Sequence, residues 1–483
     1  VWSEFVAQLA NGWIGSIVLL YSLLILGHYL LLAAVSFLEA RKTLRSQSLS
    51  DRLSLFEGDL APPVSVLVPA FNEEATLVEN VRSLMQLQYP SFEIIVVNDG
   101  STDRTLERLT EAFGLRRSYR TLRARVPRDR VRGVYSSPDF PFLVVLDLVN
   151  GGKAMGLNIA LAFSRHPLFC AIDADSVLER ETLLRLALPF YHDRTRLVTG
   201  GVVRPANGSV IRGGTVVSTH FPFGHLARFQ TVEYLRGMLA GRMGWSYFDS
   251  LFIVSGALGL FSREAVMAVG GYRTDTLGED MELVMRIQRW AGRKGQTRAV
   301  EFVAPAVAWT EVPESLGALS RQRARWHQGL AESLWLNRDI LFRDRFGFAQ
   351  GLAYLSQIVV ELLGPVVELF GYAIFVALLA TGHADTTFAV LYFGFFVAGG
   401  TVASLLGITL ETMVCPRYRR TRDILGLILY AVLENFGYRQ MTAAWRVMGL
   451  WRALTRDRRW GSTVRRGHRS TSPSEPASTR RAA

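Results

Sequence analysis

The chain has 483 residues, 49% of them apolar, with a mean hydropathy of +0.19; this is high for a soluble enzyme and enough for a sizeable core plus membrane spans. The net charge of +12 comes almost wholly from Arg, since only Lys42, Lys153 and Lys294 are Lys. That surplus suits an anionic membrane surface or a phosphate-bearing substrate, and its scatter beside apolar runs, not along one stripe, argues against nucleic acid.

Residues 13–38 form an apolar run long enough to cross a bilayer at ~1.5 Å per residue, and too long for a signal-peptide core. Arg41, Lys42 and Arg45 follow at once, so the positive-inside rule puts the next domain in the cytoplasm. The two cysteines, Cys170 and Cys415, lie far apart, with neither a disulfide framework nor zinc spacing, as fits a reducing compartment. The chain opens on Val1, which fits a non-AUG start or a few missing residues.

Residues 46–63 are polar, end in Pro62-Pro63 and read as a linker. VSVLVPAFNEE (64–74) then reads as a parallel strand, followed by helical spacing to about Leu87. EIIVVNDGS (93–101) reads as a second strand, with a helix to Phe113. This alternation predicts a doubly wound α/β sheet, whose strand ends are where ligands bind. Residues 115–141 are Arg-rich and read as a surface excursion, and FLVVLD (142–147) as the next strand. Asn150-Gly151-Gly152-Lys153 precedes a helix, where glycine N–H groups can approach phosphate oxygens and Lys153 adds charge; an ordinary turn with a surface Lys is the plainer reading.

LFCAIDADS (168–176) runs from apolar residues straight into two carboxylates. If strand geometry persists through Ala174, Asp173 and Asp175 point the same way, and their repulsion favours a divalent cation such as Mg2+ or Mn2+. A solvated turn is the alternative. VTGGVV (198–203) reads as a strand, and HLARFQTVEYLRG (225–237) as an amphipathic helix lying either at the membrane surface or on the sheet. IVSGALGLFSREAV (253–266) is rich in small residues and admits close approach to its backbone. Glu279-Asp280 opens a long helix, where acids also serve as caps. Residues 319–335 form a basic, aromatic helix with Arg321, Arg323, Arg325, Trp326 and Trp335; a solvated or interfacial face is the bland account.

Residues 350–381 and 386–414 each support a span, the first containing Glu361, Pro365 and Glu368. Arg417, Arg419, Arg420 and Arg422 mark a cytoplasmic turn. Residues 424–450 hold Glu434, Arg439 and Arg446 and read as interfacial or re-entrant, and 457–483 as a disordered tail with seven Arg against two acids.

As a set, PAFNEE (69–74), VNDGSTD (97–103), NGGK (150–153), DAD (173–175), GED (278–280) and QRARW (322–326) resemble the membrane-bound branch of glycosyltransferase family 2. That branch includes cellulose, chitin, hyaluronan and poly-N-acetylglucosamine synthases, and the resemblance covers 64–330. It implies a GT-A type, Rossmann-like and mostly parallel cytoplasmic domain combined with transmembrane and interfacial helices. The expected division is an N-terminal transmembrane helix (1–45), linker (46–63), GT-A domain (64–318), interfacial helices (319–346), C-terminal transmembrane and interfacial helices (347–456) and tail (457–483).

The resemblance also implies roles. Glu73 and Asp99 match residues that hold the uridine, and Lys153 the basic residue near the diphosphate. Asp173 and Asp175 match the metal–diphosphate pair, Asp280 the general base, and Gln322, Arg325 and Trp326 the residues closing over pyrophosphate and acceptor. The implied reaction is inverting, metal-dependent transfer from a UDP-sugar to a growing β-linked polysaccharide, processive and coupled to translocation, in a multi-pass inner (plasma) membrane. Mg2+ or Mn2+ is the implied cofactor. The implied partners are the UDP-sugar, a polysaccharide or lipid-linked acceptor, membrane lipid, and export or accessory subunits. Three departures stand out: Gly278 replaces the family's usual Thr, and neither a Phe-x-Val-Thr-x-Lys gating loop nor a cyclic-di-GMP-binding domain of the cellulose-synthase type is found. Addition of one sugar to a lipid, and an inactive sugar-nucleotide-binding subunit, are the competing readings.

Overall fold

The structure, a computed structural model, describes residues 13–46, 61–119, 128–342, 347–382 and 386–455. Most of the expected linker and the basic tail from 457 onward lie outside the described residues.

The chain opens with helix α1 (Trp13–Ser46), whose 17–44 stretch is apolar enough to cross a membrane. The first half of the next domain alternates as its sequence predicts: β1 (Val64–Ala70), α2 (Leu77–Leu84), β2 (Phe92–Asn98), α3 (Thr105–Phe113), then β3 (Arg116–Arg117), β4 (Val131–Ser136), β5 (Leu143–Leu148), α4 (Lys153–Phe163) and β6 (Leu168–Ala171). After it come β7 (Val177–Leu178), α5 (Thr182–His192), β8 (Val198–Pro205) and the hairpin of β9 (Val210–Arg212) with β10 (Thr215–Ser218).

Among the described residues ten strands form one sheet, in the order β3-β4-β5-β2-β1-β6-β11-β8-β12-β7. Here β11 is Gly259–Ser262 and β12 is Val300–Thr310. The centre, β5-β2-β1-β6, is parallel, and its strands are buried on both faces, which is why they read as unbroken apolar runs. β11 runs antiparallel to both β6 and β8.

Two expectations need correction. The Arg-rich 115–141 stretch is not wholly an excursion: β4 pairs antiparallel with β5, and β3 with β4, to close one sheet edge. The strand before the acidic pair stops at Ala171, and Ala174 and Asp175 lie in a turn, so strand geometry does not align the two carboxylates.

α6 (His225–Leu235) continues through a π turn (Arg236–Arg242) into α7 (Met243–Tyr247). α6 packs between β8 and the C-terminal helices, with Gln230 and Thr231 fully buried; the sheet-packing alternative for this segment is the one observed. α8 (Arg263–Ala268) and α9 (Glu279–Arg293) complete the sheet's cover. α10 (Leu316–Leu336) then leads to α11 (Phe348–Ser356), a second π turn (Gln357–Leu362), α12 (Gly364–Ala380) and α13 (Thr386–Val414). Residues 348–380 and 393–414 give two more helical stretches long and apolar enough to cross a membrane. Their outward faces carry bare apolar side chains such as Val376 and Val402, as a lipid-facing surface does. The 424–450 region folds as two helices, α14 (Thr421–Leu433) and α15 (Tyr438–Thr455), broken at Gly437, whose φ is +97°.

Buried ion pairs tie the sheet domain to the C-terminal helices. Arg204 at the end of β8 pairs with Glu411 of α13 at 3.0 Å, both side chains fully buried, and also donates to the Cys415 carbonyl oxygen. Arg236 pairs with Glu434 beyond α14.

Candidate active site

The carboxyl ends of β1, β2, β5 and β6 deliver the predicted residues to one edge of the sheet, as a doubly wound fold requires. The loops after β1 and β2 are knit together. Asn72, at φ +56°, accepts from the Thr102 N–H, and the Glu74 N–H donates to Asp103. Glu73 is buried, its backbone N–H donating to Thr105 and its carboxylate accepting from the Thr76 hydroxyl at 2.7 Å.

Asp99 revises the glycine-loop reading. Its two carboxylate oxygens accept the N–H groups of Gly151 and Gly152, each at 2.8 Å, and the Asn150 amide donates to its carbonyl. The glycine donors are thus turned onto Asp99, the anion already in reach, and not toward open space. Burial raises the Asp99 pKa, against the pull of those two N–H groups. Gly152 lies at φ +83°, and a Cβ at Gly100 would fall 2.6 Å from the Asn150 nitrogen, so the two loops meet backbone to backbone.

This brace sets the start of α4 and with it Lys153. The Lys153 ammonium lies 2.7 Å from Asp173 and 3.5 Å from Glu279. Burial alone would lower its pKa, but Asp173 and Glu279 outweigh burial and raise it. Asp280 reaches across to accept the Gly256 N–H at 2.9 Å, while its other oxygen accepts from Met281. A Cβ on Gly256 would sit 2.9 Å from the Lys153 nitrogen and 3.3 Å from Asp280; Lys153 and Asp280 are what approach this small-residue segment. Lys153, Asp173, Glu279 and Asp280 therefore share one cleft. Glu279, which the motif reading left without a role, has a raised pKa from burial and from Asp280, opposed by Lys153 and Arg325.

Asp175 takes a different direction from Asp173. It is buried, with Thr310 and Ser176 hydroxyls at 3.4 and 3.5 Å. The Asn80 side chain of α2 donates to the Asp173 and Ser176 carbonyls and holds the turn between them. Among the described residues no group of three or more His, Cys, Asp or Glu is placed to hold a metal ion. Asp173, part-exposed beyond the end of β6, nonetheless suits a Mg2+-like ion, which takes one or two protein oxygens and completes its shell with water and phosphate. The Lys153 ammonium already supplies positive charge against Asp173.

α10 closes the other side. It lies against the start of α9 through two glycines: a Cβ on Gly278 would be 2.6 Å from the Gly329 carbonyl oxygen, and one on Gly329 2.8 Å from the Gly278 nitrogen. This accounts for glycine at 278. Ser333 donates to the Gly278 carbonyl, and Glu332 accepts from Leu277 and Thr276. Arg325 is exposed and close enough to pull on Glu279. Trp326 is 45% exposed, with the Arg323 guanidinium 4.5 Å from its ring and Tyr234 6.2 Å away. Gln322 accepts from Arg323.

Arg323 is not part of an exposed basic face. It is buried and paired with Glu233 at 2.7 Å, where Tyr438 also donates. Sequence reasoning also missed Arg242 at the end of the first π turn. One of its terminal nitrogens is buried with no hydrogen-bond partner among the described residues, and burial lowers its pKa against the pull of Asp280. Its only sequence signal is a lone Arg within a mostly small, apolar stretch.

Comparison with known proteins bears on the family and the fold. The family described as Glycosyl transferase family 2 matches residues 65–266, and Glycosyl transferase family group 2 matches 168–402. A poly-beta-1,6-N-acetyl-D-glucosamine synthase of Staphylococcus epidermidis is 25% identical over 402 residues, 81% of this chain and 84% of that protein. One from Staphylococcus aureus (strain COL) is 25% identical over 283 residues, 59% of this chain and 56% of its own. A mannosyltransferase from Pyrobaculum calidifontis, solved in complex with GDP-Man and Mn2+, shares the fold with a TM-score of 0.50 at 19% identity, covering 84% of this chain and 99% of that one. With a GT-A sheet, an acid-lined cleft at its strand ends and three apolar helices beside it, the chain belongs to glycosyltransferase family 2, on the branch of the membrane polysaccharide synthases.

Proposed function

We propose that the chain is an inverting, metal-dependent glycosyltransferase that moves a sugar from a UDP-sugar onto a growing β-linked polysaccharide. The observation that carries this reading is the cluster that Lys153, Asp173, Glu279 and Asp280 form, with Arg325 of α10 near enough to act on Glu279.

In this reading Glu73 and Asp99 border the nucleoside pocket. Asp99 also braces the loop that aims Lys153, and each of its oxygens keeps a further lone pair for the base. Lys153 and Arg325 stabilise charge growing on the departing diphosphate. A divalent cation held by Asp173, and by Asp175 were its buried carboxylate to turn from Thr310, would add Lewis-acid charge at the same place. Asp280 takes the proton from the acceptor hydroxyl as that oxygen attacks the anomeric carbon, so an α-linked donor gives a β-linked product. Trp326 offers its flat face to an acceptor sugar, and Gln322 lies a helical turn before it.

The catalytic domain, residues 64–318, lies on the cytoplasmic side of a bacterial-type plasma membrane, and the apolar helices cross that membrane. A cavity of about 120 Å3 between α1, α12 and α13 supports processive growth with export. Its lining includes aromatic Tyr29, Tyr372 and Phe375 beside polar Glu368, Arg439 and Gln440, the mixture of side chains a glycan can use. Relatives named as poly-beta-1,6-N-acetyl-D-glucosamine synthases make UDP-N-acetylglucosamine the first donor to test. The test is a panel of radiolabelled UDP-sugars with Mg2+ or Mn2+ and product sizing. A glycosidase-sensitive polymer is expected. A single-sugar glycolipid would replace processive synthesis with lipid glycosylation, and no turnover of any donor would overturn the enzyme reading.

A further inference from the structure

His327 follows Trp326 directly on α10 and is buried against the C-terminal helices. Its two ring nitrogens face opposite demands. Nε2 lies 3.2 Å from the Leu362 carbonyl oxygen, which can only accept. Nδ1 lies 3.3 Å from Nε of Arg446, which can only donate. The neutral Nε2–H tautomer alone satisfies both. Burial, and after it the Arg446 charge, keeps the ring neutral, its pKa pushed down to about 3.

Arg446 does not end there. It donates to the Glu361 backbone oxygen at 2.7 Å and to its carboxylate at 3.0 Å. Tyr29 of α1 donates to the other carboxylate oxygen at 2.9 Å, and the same Tyr29 lines the cavity between α1, α12 and α13. Glu361 and Leu362 both lie in the π turn 357–362, a distortion frequent at functional sites. An acid in an apolar helix is costly unless it is paired, and Arg446 and Tyr29 pair this one. α15 runs so close to α10 that a Cβ on Gly449 would strike the Ala324 carbonyl, so α10 cannot roll without moving Arg446. On a helix, Trp326 and His327 point about 100° apart, and one roll angle sets both.

We propose that Arg446 is a positioning residue: through the His327 ring it fixes the roll of α10, and hence the pose of Trp326 toward the acceptor, and through Glu361 it ties that pose to the membrane helices beside the cavity. The proposal rests on the glycosyltransferase reading above.

The test uses the purified full chain with UDP-N-acetylglucosamine and Mn2+, scoring UDP release, product length and the ring-nitrogen NMR spectrum of 15N-His-labelled protein. His327→Ala and Arg446→Lys are expected to shorten the product or raise the acceptor KM by at least about tenfold, while donor KM stays within about twofold. His327→Asn, which keeps one donor and one acceptor, restores most of the loss. In the parent, the His327 signal is a single Nε2–H tautomer, and Arg446→Lys mixes it. Parental product length in both variants, or donor KM and turnover falling together with no rescue by Asn, would overturn the proposal. A parent that turns over no donor would overturn the functional reading instead; the tautomer spectrum still decides the Arg446–His327 link.

Discussion

Gly329→Ala adds one methyl group where α10 meets the start of α9. A Cβ there would lie 2.8 Å from the Gly278 nitrogen, 2.9 Å from its Cα and 3.0 Å from the Leu277 carbonyl carbon. Ordinary contact begins near 3.4 Å, and the obstacles are backbone atoms, so the helices must part by about half an ångström. Overpacking of this kind costs about 1–3 kcal/mol, a melting temperature lower by several degrees. The larger effect falls on chemistry. Arg325 and Trp326 ride on α10 and Asp280 on α9, and a misplacement of about 1 Å at a reacting pair costs about a hundredfold, so half of that costs roughly tenfold in kcat. Lys153 and Asp173 sit on α4 and after β6, outside the strained contact, so donor KM stays within about twofold. The assay is steady-state UDP release with product sizing, beside a thermal melt. A lowered melting temperature with parental kcat would refute the claim that this glycine contact sets the catalytic geometry.

Asp99→Asn turns an amide N–H₂ toward Gly151 or Gly152 and orphans one donor. We expect a loss of about 1–3 kcal/mol by denaturant titration and a higher donor KM; an unchanged KM would count against the bracing of Lys153. Glu279 has a folded-state pKa above its ordinary 4.5, so its contribution to stability is full below pH 4.5 and is lost as pH rises through the raised value. Glu279→Gln keeps the neutral shape, so without nucleotide or metal its melting temperature should gain on the parent's as pH climbs past 4.5; a pH-independent difference would refute this. Glu411→Ala leaves Arg204 charged and buried, at a cost of about 3–5 kcal/mol, whereas replacing both by apolar residues should recover most of it. Equal losses in the single and double variants would deny the pairing.

What the sequence disclosed was local. β1, β2 and β6 were legible because a strand buried on both faces must be continuously apolar, and the residues at their carboxyl ends stood out against that background. The parting of Asp173 from Asp175 was not legible, because the turn is held by Asn80, some ninety residues earlier. Nor was the capture of the Gly151 and Gly152 N–H groups by Asp99, a contact across fifty residues that turns an apparent anion site into a brace. β4 escaped notice because a half-exposed strand next to the sheet edge, with Arg132 in solvent, lacks the apolar run of its neighbours. Gly278 departs from the family pattern, and only the Gly329 backbone packed against it shows why. Arg323 and His327 sit in a helix whose Arg and Trp dominate its pattern; only packing against Glu233 and Arg446 distinguishes them.

The central claim is that Asp280 acts on the acceptor in a cleft whose donor side is built by other residues. Asp280→Asn tests it most directly, with UDP-sugar binding measured by calorimetry in the presence of Mn2+ and transfer measured on the same preparation. The account predicts donor affinity within about threefold of the parent and transfer reduced at least about a hundredfold, the upper part of the range for a lost general base. Transfer that survives the substitution, or donor affinity that collapses with it, would contradict the account.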